Sequence, residues 1–208
     1  MKNFIILDHP LVKRDLTILR DRRTPGNSFR AILRRTASLM AYEVTRDLAV
    51  KKATVNTPLE KTVGYVEKDS IILVPILRAG LGLVGGFVEV IPNARVGHIG
   101  IYRDEETLRP VDYYLKLPKK INRALVLLLD PMLATGGSAV AATTFLKKKG
   151  ARNISFVSLV AAPEGVCALM KAHPDVKIFT CALDRELNEK GYILPGLGDA
   201  GDRMFGTE

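Results

Sequence analysis

Val126-Leu-Leu-Leu-Asp130-Pro-Met-Leu-Ala-Thr135-Gly-Gly-Ser138 is the stretch of this 208-residue chain that decides its fold class. An apolar strand ends at Asp130, a short loop with two glycines follows, and an amphipathic helix begins near Ser138. Loops at the carboxyl ends of parallel strands are where open α/β sheets bind ligands. The stretch therefore predicts an α/β fold with a ligand site at the end of this strand.

The loop itself has the features of a phosphate site. Gly136 and Gly137 lack Cβ atoms, so the backbone can curve around a ligand and direct N–H groups at it. The following helix adds roughly half a positive charge at its N-terminus, and Thr135 and Ser138 supply hydroxyls. Asp130 is placed to accept hydrogen bonds from hydroxyls beside the phosphate, as on a ribose. The glycine spacing is not that of a P-loop and the P-loop lysine is missing; a plain strand–turn–helix junction capped by Ser138 is the alternative.

The rest of the chain alternates between strand-like and helix-like segments. Short continuous apolar runs suit strands buried on both faces of a parallel sheet, and helices between them indicate right-handed crossovers. The predicted strands are Ile71–Leu77, Val96–Tyr102, Ala124–Leu129, Ile154–Ala161 and Val176–Leu183, and the predicted helices lie near Leu81–Val90, Ser138–Lys149 and Glu164–Ala172. The pattern predicts a mostly parallel sheet flanked by helices.

Three regions lie outside this alternation. Apolar spacing after Ser28 predicts a long amphipathic helix, preceded by a shorter helix at Asp8–Asp21. The long helix is followed by a segment at Thr54–Lys68 that is predicted to be a connection. A short strand within this segment is the open alternative. The charged stretch Arg103–Lys120 is too long for a plain turn and is predicted to be a lid. The glycine-rich tail 191–206 has no periodicity, but its aromatic and apolar side chains favour burial over a free terminus.

The composition restricts the function classes. The formal net charge of +9 suits either a nucleic-acid surface or a pocket for an anionic small molecule, but no run of five or more basic residues occurs. We therefore expect no nucleic-acid partner. Cys167 and Cys181 match no zinc or redox spacing and are predicted to be reduced core thiols. No apolar run has transmembrane length and no signal-peptide pattern is present, so a cytoplasmic protein without a membrane partner is expected.

A dinucleotide-binding oxidoreductase is one alternative. Gly80-Leu-Gly82-Leu-Val-Gly85 follows an apolar strand, as a dinucleotide-binding fingerprint does, and Asp104 lies about where the ribose-binding acid is expected. The motif is weak alone, and Arg78 is awkward beside it. This interpretation also leaves the Thr135–Ser138 loop without a role.

Four motifs together resemble the uracil phosphoribosyltransferase family, which has the type I phosphoribosyltransferase fold. Most type I members carry two adjacent acids before the phosphate loop, whereas Asp130-Pro131 looks like the uracil-specific form. The other motifs are His9-Pro-Leu-Val, Pro75-Ile-Leu-Arg78-Ala-Gly80 and Gly196-Leu-Gly-Asp-Ala-Gly-Asp-Arg-Met-Phe-Gly206. The resemblance covers nearly the whole chain. It implies a pentosyltransferase of pyrimidine salvage that joins uracil to phosphoribosyl diphosphate (PRPP), giving UMP and diphosphate.

The resemblance also implies roles for individual residues. Asp130 and Arg103 are the implied catalytic residues, and Arg78 and Arg103 would bind diphosphate, a task that suits the guanidinium fork. Main-chain groups would hold uracil, with Tyr192 as a further substrate contact. The implied PRPP-binding set is Arg78, Arg103, Asp130, Pro131, Met132, Leu133, Ala134, Thr135, Gly136, Gly137, Ser138 and Asp199. The implied uracil-binding set is Ile193, Gly198, Asp199 and Ala200.

The implied architecture is one domain, with an N-terminal helical arm at 1–68, an α/β core at 69–185 that carries a flap at 103–120, and a nucleobase-binding hood at 186–208. Mg²⁺ is the implied cofactor, held mainly by PRPP rather than by protein ligands. GTP as an allosteric activator and a homodimer or higher homo-oligomer are also implied. A regulator that keeps the PRPP loop as a sensor and binds RNA or DNA is the remaining alternative, and the intact uracil-type tail argues against it.

Overall fold

The computed structural model describes the backbone of residues 3–103 and 110–207, and the side chains of residues 3–101 and 114–207. In chain order the elements are β1 (Phe4–Ile6), α1 (Pro10–Arg20), α2 (Gly26–Val44), β2 (Val50–Asn56), β3 (Lys61–Glu67), β4 (Ser70–Leu77), α3 (Leu81–Val90), β5 (Arg95–Val96), β6 (His98–Arg103), β7 (Pro110–Lys116), β8 (Ala124–Leu129), β9 (Met132–Leu133), α4 (Gly137–Lys148), β10 (Asn153–Ala161), α5 (Pro163–Ala172), β11 (Lys177–Leu183), β12 (Glu186–Leu187), β13 (Ile193–Leu194) and α6 (Ala200–Phe205).

The central sheet is mostly parallel, as predicted. Its strands are paired in the order β1-β11-β10-β8-β4-β6-β7, and β5 and β9 add short pairings to β4 and β10. All of these pairings are parallel except that of β7, which runs antiparallel to β6. The carboxyl ends of β4, β8, β10 and β11 consequently lie along one edge of the sheet, where a ligand site is expected.

Helices cover both faces of the sheet. One apolar core joins the sheet to α1, α2, α3 and α6 and includes Leu33, Phe87 and Met204. The other joins it to α4 and α5 and includes Leu146 and Leu169. Successive strand residues alternate between the two cores, because side chains point to opposite faces of a strand. The predicted α/β architecture is thereby confirmed.

The N-terminal third differs in two places from the prediction. Helix α2 begins at Gly26 rather than after Ser28; Pro25 is extended, and the Phe29 N–H donates to the Pro25 carbonyl at 2.8 Å. Ser28, which the sequence suggests as the residue preceding the helix, therefore lies within its first turn. The segment 54–68, predicted to be a connection, forms most of the antiparallel hairpin β2–β3. Its hydrophobic side chains are largely exposed, so it lacks the burial signal by which the other strands can be predicted.

Two further features qualify the predictions. The stretch 103–120 contains β7, so the predicted flap is flanked by paired strands, while Asp104–Arg109 lie outside the described residues. Cys181 is buried as expected, but Cys167 on α5 is exposed, and its prediction as a core thiol is wrong. In the described ranges 3–103 and 110–207, no helix combines the length and hydropathy that crossing a membrane requires.

Candidate active site

The phosphate loop lies at the carboxyl edge of the sheet, immediately after β8. The Asp130 N–H donates to the Val157 carbonyl at 3.1 Å, which ties the end of β8 to β10. The chain then pairs again with β10 as β9 before it turns into α4. Two strands therefore fix the position of the loop between Asp130 and Ser138.

The loop encloses a small pocket. Residues Asp130 and Met132–Ala139 line a cavity of about 80 Å³. Gly136 adopts a φ of +82°, a left-handed conformation that favours glycine, and α4 begins at the next residue. The first N–H groups of a helix have no partners within it and carry its positive end. The geometry is thus that of a cradle for one anionic group, as the sequence predicts.

Helix α5 packs directly against the backbone of the phosphate loop. A Cβ atom on Gly165 of α5 would lie 2.3 Å from the Ala134 carbonyl oxygen and 2.7 Å from that of Leu133. A Cβ on Gly136 would lie 2.9 Å from the Gly165 carbonyl oxygen. Backbone therefore packs directly on backbone. Gly165 was not among the predicted site residues, and an isolated glycine within a helical pattern was its only signal.

Asp130 lies at the mouth of this cradle with an unusual pKa. The residue is partly buried, but protein surrounds its carboxyl, and this burial raises the pKa to about 7. The Met132 N–H, which donates to Oδ1 at 3.3 Å, opposes the shift, and the negative charge of Asp199 adds to it. Asp130 and Asp199 therefore share one electrostatic environment, although they are far apart in sequence.

Arg78 stands at the end of β4, beside the cradle strand. Its side chain is 56% exposed, and Nη2 lies 3.4 Å from Asp202 Oδ1. The guanidinium carbon is 5.9 Å from the centre of the Phe205 ring. Because this ion pair is long, Arg78 can exchange Asp202 for a stronger partner such as a diphosphate. The side chain of Arg103 lies outside the described residues, so its predicted role stays a prediction.

The C-terminal tail folds over the same edge of the sheet. Gly201 would place a Cβ 3.9 Å from that of Ala79, and Gly191 would place one 3.7 Å from Thr135 Cγ2. Asp199 caps α6 by accepting from the Asp202 N–H at 2.9 Å. The tail therefore contacts both the Arg78 loop and the phosphate loop, and the predicted PRPP-binding and uracil-binding segments come together.

The main-chain groups of Ile193 point away from strand β12. Leu187 and Ile193 are opposite each other in the β12–β13 pair, but the Leu187 N–H donates to Glu164 Oε1 at 3.2 Å. In an antiparallel ladder, the main-chain groups of a non-hydrogen-bonded pair point away from the partner strand. Tyr192 is 46% exposed, so its side chain is accessible at the same edge.

The glycines of the alternative dinucleotide fingerprint have packing roles instead. A Cβ on Gly82 would lie 2.3 Å from Met204 Sδ and 2.5 Å from Leu33 Cδ2, and one on Gly80 would lie 2.3 Å from the Leu129 carbonyl oxygen. The start of α3 is therefore occupied by α2 and the tail. These close contacts give Gly80 and Gly82 a role in packing, so the motif is explained without a bound dinucleotide and the oxidoreductase interpretation loses its support.

The fold and the phosphate cradle define a type I phosphoribosyltransferase. A solved hypoxanthine-guanine phosphoribosyltransferase from Bacillus anthracis has the same fold, with a TM-score of 0.51 at 12% identity over 75% of this chain and 79% of that one. The AQ2163 protein from Aquifex aeolicus is far more similar, with a TM-score of 0.93 at 37% identity over 99% of both chains.

The comparison of sequences narrows this class to one family. The uracil phosphoribosyltransferase family model matches residues 6–207. Uracil phosphoribosyltransferase from Fervidobacterium nodosum is 57% identical over 98% of this chain and 99% of its own. The protein of that name from Pediococcus pentosaceus is 54% identical over the full length of both chains. The chain belongs to the uracil phosphoribosyltransferase family.

Proposed function

We propose that the cradle, Arg78 and the tail act together to transfer the phosphoribosyl group of PRPP to uracil. As a uracil phosphoribosyltransferase, the chain produces UMP and diphosphate, a step of pyrimidine salvage. The single observation that supports the residue assignment best is the convergence of Asp130 and Asp199. Their charges interact although one ends β8 and the other caps the last helix.

PRPP would lie along the carboxyl edge of the sheet. Its 5′-phosphate fits the pocket between Asp130 and Ala139, where a helix N-terminus and backbone N–H groups favour a dianion. Asp130 would accept hydrogen bonds from the ribose hydroxyls. Arg78 would leave Asp202 and grip the diphosphate, together with Arg103. Guanidinium groups suit this task because they stay charged and match phosphate oxygens in pairs.

Uracil would be recognised by main-chain groups of the tail. The base edge alternates hydrogen-bond acceptors and donors, which the backbone groups of Ile193, Gly198, Asp199 and Ala200 can match. Gly198, with a φ of +72°, supports such a turn of the backbone. Cytosine would leave buried polar groups unpaired, and discrimination of this kind reaches about 10⁴-fold. Tyr192 would contact the substrate from the exposed side.

The reaction we infer is displacement at the anomeric carbon, with oxocarbenium character in the transition state. The uracil N1–C1′ bond forms as the bond from C1′ to the diphosphate oxygen breaks, and the N1 proton passes to the departing diphosphate or to water. Asp130 holds the ribose while Arg78 stabilises charge on the departing group. The residues contribute mainly by positioning and electrostatics, which can supply much of a rate enhancement.

Mg²⁺ is proposed as the cofactor. The pair of carboxylates at the mouth of the cradle, with the pKa of Asp130 raised to about 7, is an arrangement that a cation would relieve. In the described parts of the chain, no three His, Cys, Asp or Glu side chains form a metal site. In this proposal Mg²⁺ is held by substrate oxygens and water, with one or two carboxylates nearby. When bound, the ion offsets negative charge on diphosphate.

Arg78→Ala is expected to weaken PRPP binding with little effect on folding. The side chain is exposed and its ion pair with Asp202 is long, so the loss of this pair costs little stability. Loss of a charge-assisted contact to diphosphate is expected to raise the KM for PRPP about 10- to 100-fold. Initial rates of UMP formation at varied PRPP measure this. Arg34→Ala, which removes an exposed arginine of α2 that pairs with Glu89, is the control. An unchanged KM for PRPP in Arg78→Ala would contradict the assignment.

The β2–β3 hairpin supports the proposal of a homo-oligomer. Leu59 at its turn is 95% exposed, and Val63 and Tyr65 on β3 are 59% and 66% exposed. An isolated two-stranded hairpin is only marginally stable in water, and contiguous exposed apolar side chains mark interaction surfaces. We infer that a second copy of the chain covers this hairpin.

The double variant Val63→Asp/Tyr65→Asp is therefore expected to shift the protein towards the monomer, because two charges would be buried in the interface. Size-exclusion chromatography with light scattering measures the molar mass. A wild-type protein that elutes as a monomer, or a variant with an unchanged mass, would contradict the inference. GTP activation and a cytoplasmic location stay predictions from the resemblance and the sequence.

A further inference from the structure

The segment between the two proposed uracil contacts, Ile193 and Gly198, turns sharply at Gly196. Gly196 adopts a φ of +60°, and a Cβ at this position would lie 2.1 Å from the Ile193 carbonyl oxygen. The turn therefore sets the distance and direction between the two proposed contacts. Its own peptide groups cannot be held by a regular strand or helix, because they lie between β13 and α6.

One buried ion pair holds both polar groups of Gly196. The Gly196 N–H donates to Asp184 Oδ2 at 3.0 Å, and the Gly196 carbonyl accepts from Arg20 Nη1 at 2.9 Å. Arg20 also donates from Nη1 and Nη2 to the two carboxyl oxygens of Asp184, at 2.8 and 2.6 Å. Arg20, Asp184 and Gly196 form a closed ring of hydrogen bonds that holds the two successive peptide groups on either side of Gly196.

The ion pair is anchored to the rigid part of the fold. Asp184 follows β11, is 7% exposed, and donates its N–H to the Ala161 carbonyl of β10 at 2.8 Å. The Arg20 side chain comes from the last residue of α1 and is 23% exposed. Hydrogen bonds of charged groups that are shielded from water are stronger than those at the surface. The sheet edge and α1 thus define where Gly196 lies.

We propose that Arg20 and Asp184 are positioning residues for the nucleobase. They set the affinity for uracil by fixing the main chain on both sides of Gly196. The inference rests on the proposed binding of uracil by Ile193 and Gly198. Neither side chain contacts the substrate in this proposal. Their effect passes through the main chain, whose donors and acceptors must face the pyrimidine edge within a few tenths of an ångström.

A second buried ion pair offers a matched control. Asp15 on α1 is fully buried and accepts from Arg35 Nε at 2.8 Å and from Arg14 Nε at 2.9 Å. This cluster joins α1 to α2 and makes no contact with the base-binding segment. A variant such as Asp15→Asn disturbs a buried carboxylate to a similar degree, so it reports the cost of breaking an ion pair anywhere on α1.

The test compares steady-state UMP synthesis by Arg20→Lys, Asp184→Asn and Asp15→Asn. Lysine keeps the charge of Arg20 but lacks the fork that reaches Asp184 and Gly196 together. In Asp184→Asn, an amide N–H donor faces the Arg20 guanidinium in place of one of the carboxylate oxygens. Both changes are expected to raise the KM for uracil about 10- to 100-fold, while the KM for PRPP stays within about twofold of wild type. Asp15→Asn should lower the melting temperature and leave the KM for uracil unchanged.

A double variant separates positioning from stability. Replacing a buried ion pair by apolar residues often restores stability, so Arg20→Met/Asp184→Leu is expected to melt above either single variant. Its KM for uracil is still expected to be raised, because the N–H and carbonyl of Gly196 have lost their partners. Recovery of the wild-type KM in the double variant would overturn the proposal. So would an unchanged KM in Arg20→Lys and Asp184→Asn, or an equal rise in Asp15→Asn.

Gly198→Ala distinguishes failure of this inference from failure of the proposed uracil site. A Cβ at a φ of +72° is strained and lies in the proposed base-binding turn. If Gly198→Ala raises the KM for uracil and Arg20→Lys does not, only the positioning role is overturned. If Gly198→Ala also leaves the KM for uracil unchanged while the wild type makes UMP, the proposed location of uracil is wrong. The positioning role of Arg20 and Asp184 is then overturned as well.

Discussion

Asp130→Asn is expected to lose most of the turnover and, in the substrate-free protein at pH 8, to be more stable than wild type. Asparagine keeps the shape of the side chain but lacks the charge that holds the ribose hydroxyls and faces the developing oxocarbenium ion. Loss of one preorganised electrostatic group at a reacting centre typically costs about 100- to 1,000-fold. We expect a fall of that size in kcat/KM for PRPP.

The expected gain in stability follows from the raised pKa of Asp130. Its folded-state pKa is about 7 against an ordinary value of 3.8, so between these values the folded protein binds more protons than the unfolded chain. The favourable contribution of the protonated carboxyl is complete below about pH 4 and is lost as the pH rises to about 7. Above that, the wild type carries a buried charge at a cost of at most about 4 kcal/mol, from three pKa units of about 1.4 kcal/mol each.

Thermal unfolding between pH 4 and pH 8 measures this difference. The melting temperature of Asp130→Asn should exceed that of wild type increasingly as the pH rises, by about 2–4 °C for each kcal/mol in a chain of this size, and the two should converge near pH 4. Asp199→Asn is the informative companion, because it keeps Asp130 and removes only the neighbouring charge that raises its pKa. A pH-independent difference in melting temperature would contradict the raised pKa of Asp130. Near-normal kcat/KM in Asp130→Asn would contradict the assignment of this carboxyl to the ribose.

The phosphate loop could be predicted because its ligand groups are contiguous in sequence. Asp130 to Ser138 contain the strand end, both glycines, the hydroxyls and the helix start, so the chemistry is visible in one stretch. The parallel sheet could be predicted for a similar local reason. Strands buried on both faces are continuous apolar runs, and the observed bounds of the five predicted strands differ from the predicted ones by at most one residue, apart from a break at Gly97 between β5 and β6.

The supports of the site could not be predicted, because each joins segments that are distant in sequence. Arg20 and Gly196 are 176 positions apart, and Arg20 and Asp184 are 164 apart. An arginine at the end of an amphipathic helix ordinarily faces solvent. Only the fold shows that α1 ends beside the tail. The hairpin β2–β3 is predicted only as a possible short strand, for another reason. Among the described residues neither apolar core includes it, so no burial pattern marks its strands.

Gly165→Ala is expected to impair productive PRPP binding strongly without unfolding the protein. The new Cβ would lie 2.3 Å from the Ala134 carbonyl oxygen and 2.7 Å from that of Leu133, and both atoms belong to the backbone of the cradle. The loop must therefore move away from α5, and it carries the N–H groups that face the 5′-phosphate. A misplacement of about 1 Å can cost about 100-fold in rate, and we expect a fall of that size in kcat/KM for PRPP.

Gly85→Ala is the matched control, because it makes the same change inside another helix. A Cβ on Gly85 of α3 meets only the flexible Arg34 side chain, at 3.5 Å. Both variants gain about 1 kcal/mol of helix propensity, so a difference between them reports the contact with the cradle and not the helix. Isothermal titration with PRPP and initial rates of UMP formation measure the effect, and circular dichroism checks the fold. If folded Gly165→Ala binds PRPP with wild-type affinity, the conformation of the phosphate loop does not depend on α5. It is then set by β8, β9 and α4 alone.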